Sequence, residues 1–206
     1  MSDLELLALH GLAVKKAGGP AAVADVLGRD ESEVAPALDA AVANGRAIGA
    51  RGTFMVTPAG RSWLDERYPE EYAEFRANPE ATAAYERFER VNRELLKLMT
   101  DWQMVPSAGG QRVPNDHSDE HYDHGIVDRL GALHERAEKV LGRFSELDPR
   151  LSVYTKRLDD AYDKVLSGQH EWVSGAKIDS YHTVWFELHE DLLCTLGIER
   201  SAEGSG

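Results

Sequence analysis

Apolar positions recur along most of this chain at the three-to-four-residue spacing of helices that bury one face. Leu4, Leu6, Leu7, Leu9, Leu12 and Val14 predict a first helix, which Gly18-Gly19 ends. Pro20 suits the start of the next, Ala21 to Leu27, because its ring fixes a helical φ and its missing N–H costs nothing there. After Gly28-Arg29-Asp30-Glu31, Asp30 or Ser32 can cap a third helix to about Ala43, with Val34, Leu38, Ala41 and Val42 at core spacing. Ala47-Ile48-Gly49-Ala50 and Thr53-Phe54-Met55-Val56 predict two short strands about a tight Arg51-Gly52 turn. Thr57 then caps another helix, with Pro58 at its first position. Helix, helix, helix, two-stranded wing, helix is the order of a winged helix-turn-helix module, placed over residues 1–66.

A second unit is expected over residues 67–200. Pro69 to Asn78 predicts a short acidic helix or helix extension, broken at Pro79. Four longer amphipathic segments follow, Glu80 to Gln103, Asp119 to Leu147, Pro149 to Leu166 and Ile178 to Leu196. Stripes such as Phe88, Val91, Leu95 and Leu98, or Val184, Trp185, Leu188 and Leu192, belong to helices that pack on one another. The short Asp148-Pro149 connection makes an antiparallel arrangement economical. By contrast, Val105 to Asn115 (VPSAGGQRVPN) predicts a long loop, of a kind that often carries function. SAEGSG predicts a disordered tail over 201–206. The expected fold class is mainly α: an N-terminal winged helix-turn-helix followed by an antiparallel α-helical bundle.

Composition narrows the function classes. With 42% hydrophobic and 29% charged residues, the chain has the balance of a globular protein. It holds no run of the roughly 18 apolar residues that a membrane span requires. The start has no secretory signal pattern, and the single cysteine, Cys194, forms no internal disulfide, so a reducing cytoplasm is the expected location. The net charge is −13, divided as −3 over residues 1–66 and −10 over the rest. Neither part is basic, and such a chain repels nucleic acid at long range.

The predicted third helix sharpens that point. It turns outward Glu31, Glu33, Pro36, Asp39 and Ala43, none of which makes the bidentate contacts that read purines. Lys15, Lys16, Arg46, Arg51 and Arg61 offer phosphate contacts only at its margins. DNA is therefore a disfavoured partner, and the module reads as a protein-docking piece or a spacer.

Two polar clusters carry candidate chemistry. On a helix, His117, His121 and His124 would share one face, where three imidazoles can meet a metal ion with Asp116, Asp119, Glu120 and Asp123 as further ligands. The spacing is that of no recognised zinc site, and the alternative is an acidic helix start with Asp116 as its cap. In the second cluster, His182 and His189 stand two turns apart with Trp185 and Phe186 between them. Both are expected to face the bundle interior, forming a wall for a small, flat, partly polar ligand, with a histidine as general base. The alternative is a pair of core histidines, each bonded to a carboxylate on a neighbouring helix. Trp102 and Trp172 also read as packing, and Cys194 as a small core residue. No phosphate-cradling Gly loop, dinucleotide fingerprint or Ser-His-Asp signature is present, which argues against an enzyme acting alone.

The strings Thr100-Asp101-Trp102-Gln103, Pro114-Asn115-Asp116-His117-Ser118-Asp119 with Tyr122-Asp123, and Asp179 through Leu192 resemble those of an actinobacterial module. That module joins a winged helix to a helical bundle, and the resemblance covers nearly the whole chain. It occurs beside, or fused behind, proteins resembling pyruvate phosphate dikinase and phosphoenolpyruvate synthase. In that family a swivelling phosphohistidine domain carries phosphate from a nucleotide-binding domain to an acceptor. This chain lacks the nucleotide-grasp domain and the Thr-Ser-His region, so the resemblance places ATP on a large phosphotransferase-type partner subunit. It implies an accessory subunit, and the aromatic-histidine face taken with it leads to the expectation of a small, flat, hydroxylated, even phenolic, acceptor. The candidate bases are then His182, His189 and His117. The candidate ligand contacts are Trp102, Asn115, Asp116, Tyr122, Asp179, Tyr181, Trp185, Phe186 and Glu187. Residues 1–66 alone, through Val56-Thr57-Pro58-Ala59-Gly60-Arg61, also resemble MarR-type regulators, which implies the alternative of a transcriptional regulator with a helical ligand-binding domain. A metal-dependent enzyme working alone is a third expectation.

Overall fold

A computed structural model describes residues 4–106 and 109–199. The chain opens with three helices, α1 (Leu4–Lys15), α2 (Pro20–Leu27) and α3 (Glu31–Ala43). An antiparallel hairpin of β1 (Ala47–Ala50) and β2 (Thr53–Val56) follows, then α4 (Pro58–Glu71). Arg51 and Gly52 turn the hairpin at φ 52° and 78°, the left-handed pair whose twist suits flanking antiparallel strands. Gly18 exchanges two backbone hydrogen bonds with Phe54, at 3.2 and 2.9 Å, tying the α1–α2 connection to the hairpin edge. Thr57 caps α4 as expected, its hydroxyl oxygen accepting from Gly60 N at 3.0 Å. Asp30 takes the cap position of α3 without a side-chain bond.

The α3 surface carries Glu31, Glu33, Pro36, Asp39 and Ala43, as the periodicity predicts. Val42 departs from expectation. It is 38% exposed, because Val34, Leu38 and Ala41 already define the inward stripe and Val42 lies one step past it.

The second part comprises α5 (Ala73–Ala77), α6 (Pro79–Gln103), a hairpin of β3 (Met104–Pro106) and β4 (Arg112–Pro114), α7 (Glu120–Leu147), a 3₁₀ turn at Pro149–Leu151, α8 (Ser152–Leu166), α9 (Glu171–Ser174) and α10 (Tyr181–Leu196). The segment expected as a loop over Val105 to Asn115 thus carries ladder pairs, Met104 with Pro114 and Val105 with Val113. Prolines survive there because a two-stranded ribbon leaves one side of each strand without a ladder to feed. The tail expected over 201–206 lies outside the described residues.

Cross-helix bonds give the direction of packing. Glu80 and Glu94 of α6 meet Arg143 and Arg136 of α7, in reversed order. Tyr85 and Asn92 meet His189 and Trp185, and Arg150 and Arg157 meet Asp191 and Glu187. The four long helices are therefore antiparallel neighbours around a core that includes Phe88, Leu130, Phe144, Leu158 and Leu188. A second core, with Leu9, Leu12, Leu38 and Leu64, fills the first unit. The boundary expected after Glu66 falls inside α4, whose Tyr68 belongs to the first core, as does Tyr72 just past its end. Val14 and Val26 in turn pack into the bundle core. The fold is mainly α. Among the described residues, no helix is long and apolar enough to cross a membrane.

Candidate ligand-binding site

Ser180 caps α10, its Oγ accepting from Thr183 N at 3.3 Å. The helical register then sets His182, Trp185, Phe186 and His189 on one side. They face Glu89, Asn92, Arg93 and Leu96 of α6 across a cavity of about 360 Å³. Trp185 is its floor, 2% exposed, stacked on Phe88 at 4.9 Å. Its indole N–H donates to Asn92 Oδ1 at 3.0 Å, and Asn92 Nδ2 donates to Glu89 Oε1 at 3.1 Å. The indole is a fixed surface with its only donor already used. Phe186, 37% exposed, stands at the edge, with Lys16 Nζ 5.8 Å from its ring centroid.

The two histidines differ. His189 Nε2 lies 3.5 Å from Glu89 Oε1 and 3.3 Å from Tyr85 Oη, the partnered core histidine that was the alternative expectation. His182 is half-buried, and burial lowers its pKa below the ordinary 6.5. Burial thus favours its neutral form, the one that can accept a proton.

His117 sits elsewhere. Asp119 caps α7, its Oδ1 accepting from Tyr122 N at 3.0 Å, so the helix starts only at Glu120. His117 precedes it at φ 57°. The shared helical face expected of His117, His121 and His124 does not form, and His121 and His124 are exposed. Instead His117 Nδ1 meets Asp123 Oδ2 at 2.8 Å, with the aspartate side chain 2% exposed. Asn115 Nδ2 donates to the other Asp123 oxygen at 2.9 Å and to the Trp102 carbonyl at 3.0 Å. The His117 ring lies 4.5 Å from Trp102, and Tyr122 Oη donates to the Asp101 carbonyl at 2.9 Å. Trp102, Asn115, His117 and Tyr122 are thus gathered at the β3–β4 hairpin around a buried carboxylate that orients an imidazole. Asp116 is exposed beside them and accepts from Ser118 Oγ at 2.7 Å. Asp101, though burial raises its pKa, is held below the ordinary range by Arg112 and Arg129.

Asp179 and Glu187 belong to neither group. Lys15 Nζ lies 2.8 Å from each, and Arg157 Nη2 lies 3.0 and 2.6 Å from the same two carboxylates. This quartet ties α1 to α8 and α10. Burial lowers the Lys15 pKa, but its two carboxylates outweigh that and raise it. Tyr181 is fully buried, its hydroxyl 3.3 Å from His134 Nδ1. None of these three reaches the α6–α10 cavity.

Two groups had no spacing signal in the sequence. His10, Arg150, Tyr154 and Asp191 form a buried polar network. The hint was a lone histidine, His10, inside the apolar α1, since buried polar groups need partners. His134, Glu138 and Asp159 bring donor atoms within 4.8 Å of one another. Glu138 is exposed, and such groupings recur on acidic helical surfaces without an ion.

Three of the cations expected at the DNA-facing margins are committed within the chain. Lys15 serves the quartet and Lys16 pairs with Glu190. Arg46 pairs with Glu5 at 2.8 Å and lies 4.2 Å over Trp63.

No protein family, curated protein or solved structure matches this chain.

Proposed function

We propose that this chain binds a small, flat, hydroxylated compound in the α6–α10 cavity and presents it to a dikinase-like phosphotransferase partner. The observation that carries the binding step is the convergence of His182, Trp185 and Phe186 on one cavity of about 360 Å³. A hydrophobic floor with a few polar groups above it suits an aromatic ring bearing a hydroxyl. His182, whose neutral form burial favours, accepts the hydroxyl proton as that oxygen attacks phosphorus on the partner's phosphohistidine. The P–O bond forms, the P–N bond breaks, and the electron pair returns to the partner's imidazole. A positioned base of this kind contributes about 10²–10⁴-fold. His189, held by Glu89, orients rather than accepts. The phosphotransferase assignment itself is supported by the motif strings alone.

In this proposal residues 4–71 form a winged helix that docks on protein. The order of α1 to α4 around the β1–β2 hairpin supports that fold. Docking is supported by Ile48 and Met55, which pair across the hairpin at 59% and 49% exposure. The carboxylates on α3 and the internal commitment of Lys15, Lys16 and Arg46 weigh against reading DNA.

The test is co-purification of the full chain from its host, followed by acceptor phosphorylation with the recovered partner. His182→Ala should reduce turnover by about 10²-fold or more, while partner recovery is unchanged. Turnover unaffected by His182→Ala, or tight sequence-selective DNA binding at physiological salt, overturns the proposal.

A further inference from the structure

His134 and Glu138 stand one turn apart on α7, and Asp159 comes up beside them from α8. Proximity alone is common among acidic side chains. Three observations set this group apart.

The first is an unmet pair. The His134 side chain is only 10% exposed, and its Nε2 stands 3.4 Å from Asp159 Oδ1. That oxygen is out of solvent and accepts no hydrogen bond, from His134 or any other described residue. A buried nitrogen and a carboxylate oxygen that face each other unbonded leave both unsatisfied. The gap is long for an N–H···O bond. Two ligands of one tetrahedral zinc ion, each bonded at about 2.0–2.1 Å, stand about 3.4 Å apart.

The second is the other ring nitrogen. His134 Nδ1 lies 3.3 Å from the hydroxyl of the fully buried Tyr181, and the imidazole lies 4.5 Å from the Tyr162 ring. With Nδ1 bonded and the ring held, Nε2 is the nitrogen left for an ion, as in ligating histidines fixed by an outer partner.

The third is charge. Glu138, Asp160 and Asp163 all act against the negative charge of Asp159. Lys156 answers Asp160 at 2.6 Å. Among the described residues, neither Glu138 nor Asp159 pairs with a lysine or arginine. The group therefore carries surplus negative charge, which a cation offsets. Glu138 is exposed and Asp159 is 44% exposed, so an ion reaches them from solvent. It sits between donors that already face one another and needs no cavity of its own.

We propose that His134, Glu138 and Asp159 bind a divalent transition-metal ion, zinc in the first place, with water at a fourth position. The imidazole selects zinc over magnesium or calcium, which prefer all-oxygen ligands. The site lies between α7 and α8, apart from the α6–α10 cavity, and does not rest on the function proposed there.

Titration calorimetry of the untagged, chelator-treated full chain with zinc chloride tests this. One-to-one binding is expected, and the His134 Nε2 resonance should shift as the first equivalent is added. Loss of an outer partner alone costs about 10–100-fold in metal affinity, so Glu138→Gln, at an exposed position, should weaken binding at least about tenfold. His134→Gln should weaken it as much or more. The ion joins α7 to α8, so zinc should raise the urea midpoint of the wild type and not that of Glu138→Gln. The exposed His121 and His124 are the competing ligands. Binding removed by His121→Gln with His124→Gln and untouched by Glu138→Gln overturns the proposal, as does the absence of one-to-one binding. Should His134→Gln fail to fold, Glu138→Gln and the His134 resonance decide it.

Discussion

His10 Nε2 lies 3.0 Å from Asp191 Oδ1, with both side chains wholly out of solvent. Arg150 grips the same carboxylate with two nitrogens, at 2.6 and 2.9 Å, and Tyr154 donates to it at 2.9 Å. The far nitrogen of His10 meets Tyr68 Oη at 3.0 Å. One aspartate therefore joins α1, α4, α8 and α10. Asp191→Asn leaves the buried Arg150 charge with only the longer pair to Asp148, at 3.4 Å. It should lower stability by about 3–5 kcal/mol, measured by urea denaturation. A loss of about 0–1 kcal/mol, that of an exposed ion pair, would show that the network does not hold the units together.

The same network sets a dependence on pH. Burial raises the Asp191 pKa, but Arg150 and His10 outweigh it and hold the carboxyl far below the ordinary 3.8. A depressed folded pKa gives stability that is complete above the unfolded value and lost as pH falls through the folded one. The urea midpoint should therefore drop below about pH 4, and Asp191→Asn should flatten that drop. Lys15 acts with the opposite sign, since its pKa is raised. Its contribution is complete below about pH 10.4 and disappears as pH rises through the folded value. A midpoint with equal acid sensitivity in wild type and Asp191→Asn would assign the acid effect to other carboxylates.

What the sequence could reveal followed from periodicity. The stripes on α6, α7, α8 and α10 are long enough for the 3.6-residue repeat to be unambiguous, and so is the face that gathers His182, Trp185 and Phe186. The β3–β4 ribbon was hidden because each strand is three residues long and its prolines imitate a loop. His117 was misplaced because helical spacing was extended through Asp119, the residue whose side chain ends the regularity. Asp179 and Glu187 share a motif string with His182 yet serve Lys15, which lies far away in sequence. No local pattern encodes such a partner.

Gly60 has a packing role that its place in the Thr57-Pro58-Ala59-Gly60-Arg61 run does not disclose. A Cβ there would lie 1.9 Å from the Arg46 carbonyl oxygen, a backbone atom that cannot rotate aside. Gly60→Ala should cost at least about 1–3 kcal/mol. Gly125, within α7, has nothing within 4 Å of an added Cβ. Gly125→Ala should stabilise by about 0.5–1 kcal/mol through helix propensity. Thermal unfolding of the two variants should move in opposite directions. Equal shifts would mean that the approach of α4 to Arg46 is relaxed in solution.

The neutrality of His182 is measurable without any ligand. Burial penalises its charged form, so its ring should titrate below the ordinary 6.5 in the native protein. The sign of the linkage follows. As pH falls through that ordinary value the unfolded chain takes up the proton first, and stability is lost. Proton NMR of the imidazole signals, assigned by His182→Gln, should show this one titrating below its unfolded value. A midpoint at or above 6.5 would remove the basis for a free base at neutral pH.

The β1–β2 hairpin offers the sharpest separation between docking and folding. Ile48 and Met55 oppose each other across β1 and β2 at 59% and 49% exposure, so neither fills the core. Surface substitutions away from packing change stability by about 0.5 kcal/mol or less. Ile48→Glu with Met55→Glu should therefore leave the urea midpoint in place. If this ribbon docks on a partner, two carboxylates placed in an apolar contact must be desolvated without counterions, which opposes association strongly. Recovery of the partner in co-purification should then collapse while His182 still titrates as in the wild type. Undiminished recovery would move the docking surface away from the hairpin, leaving the acidic face of α3 as the next surface to substitute.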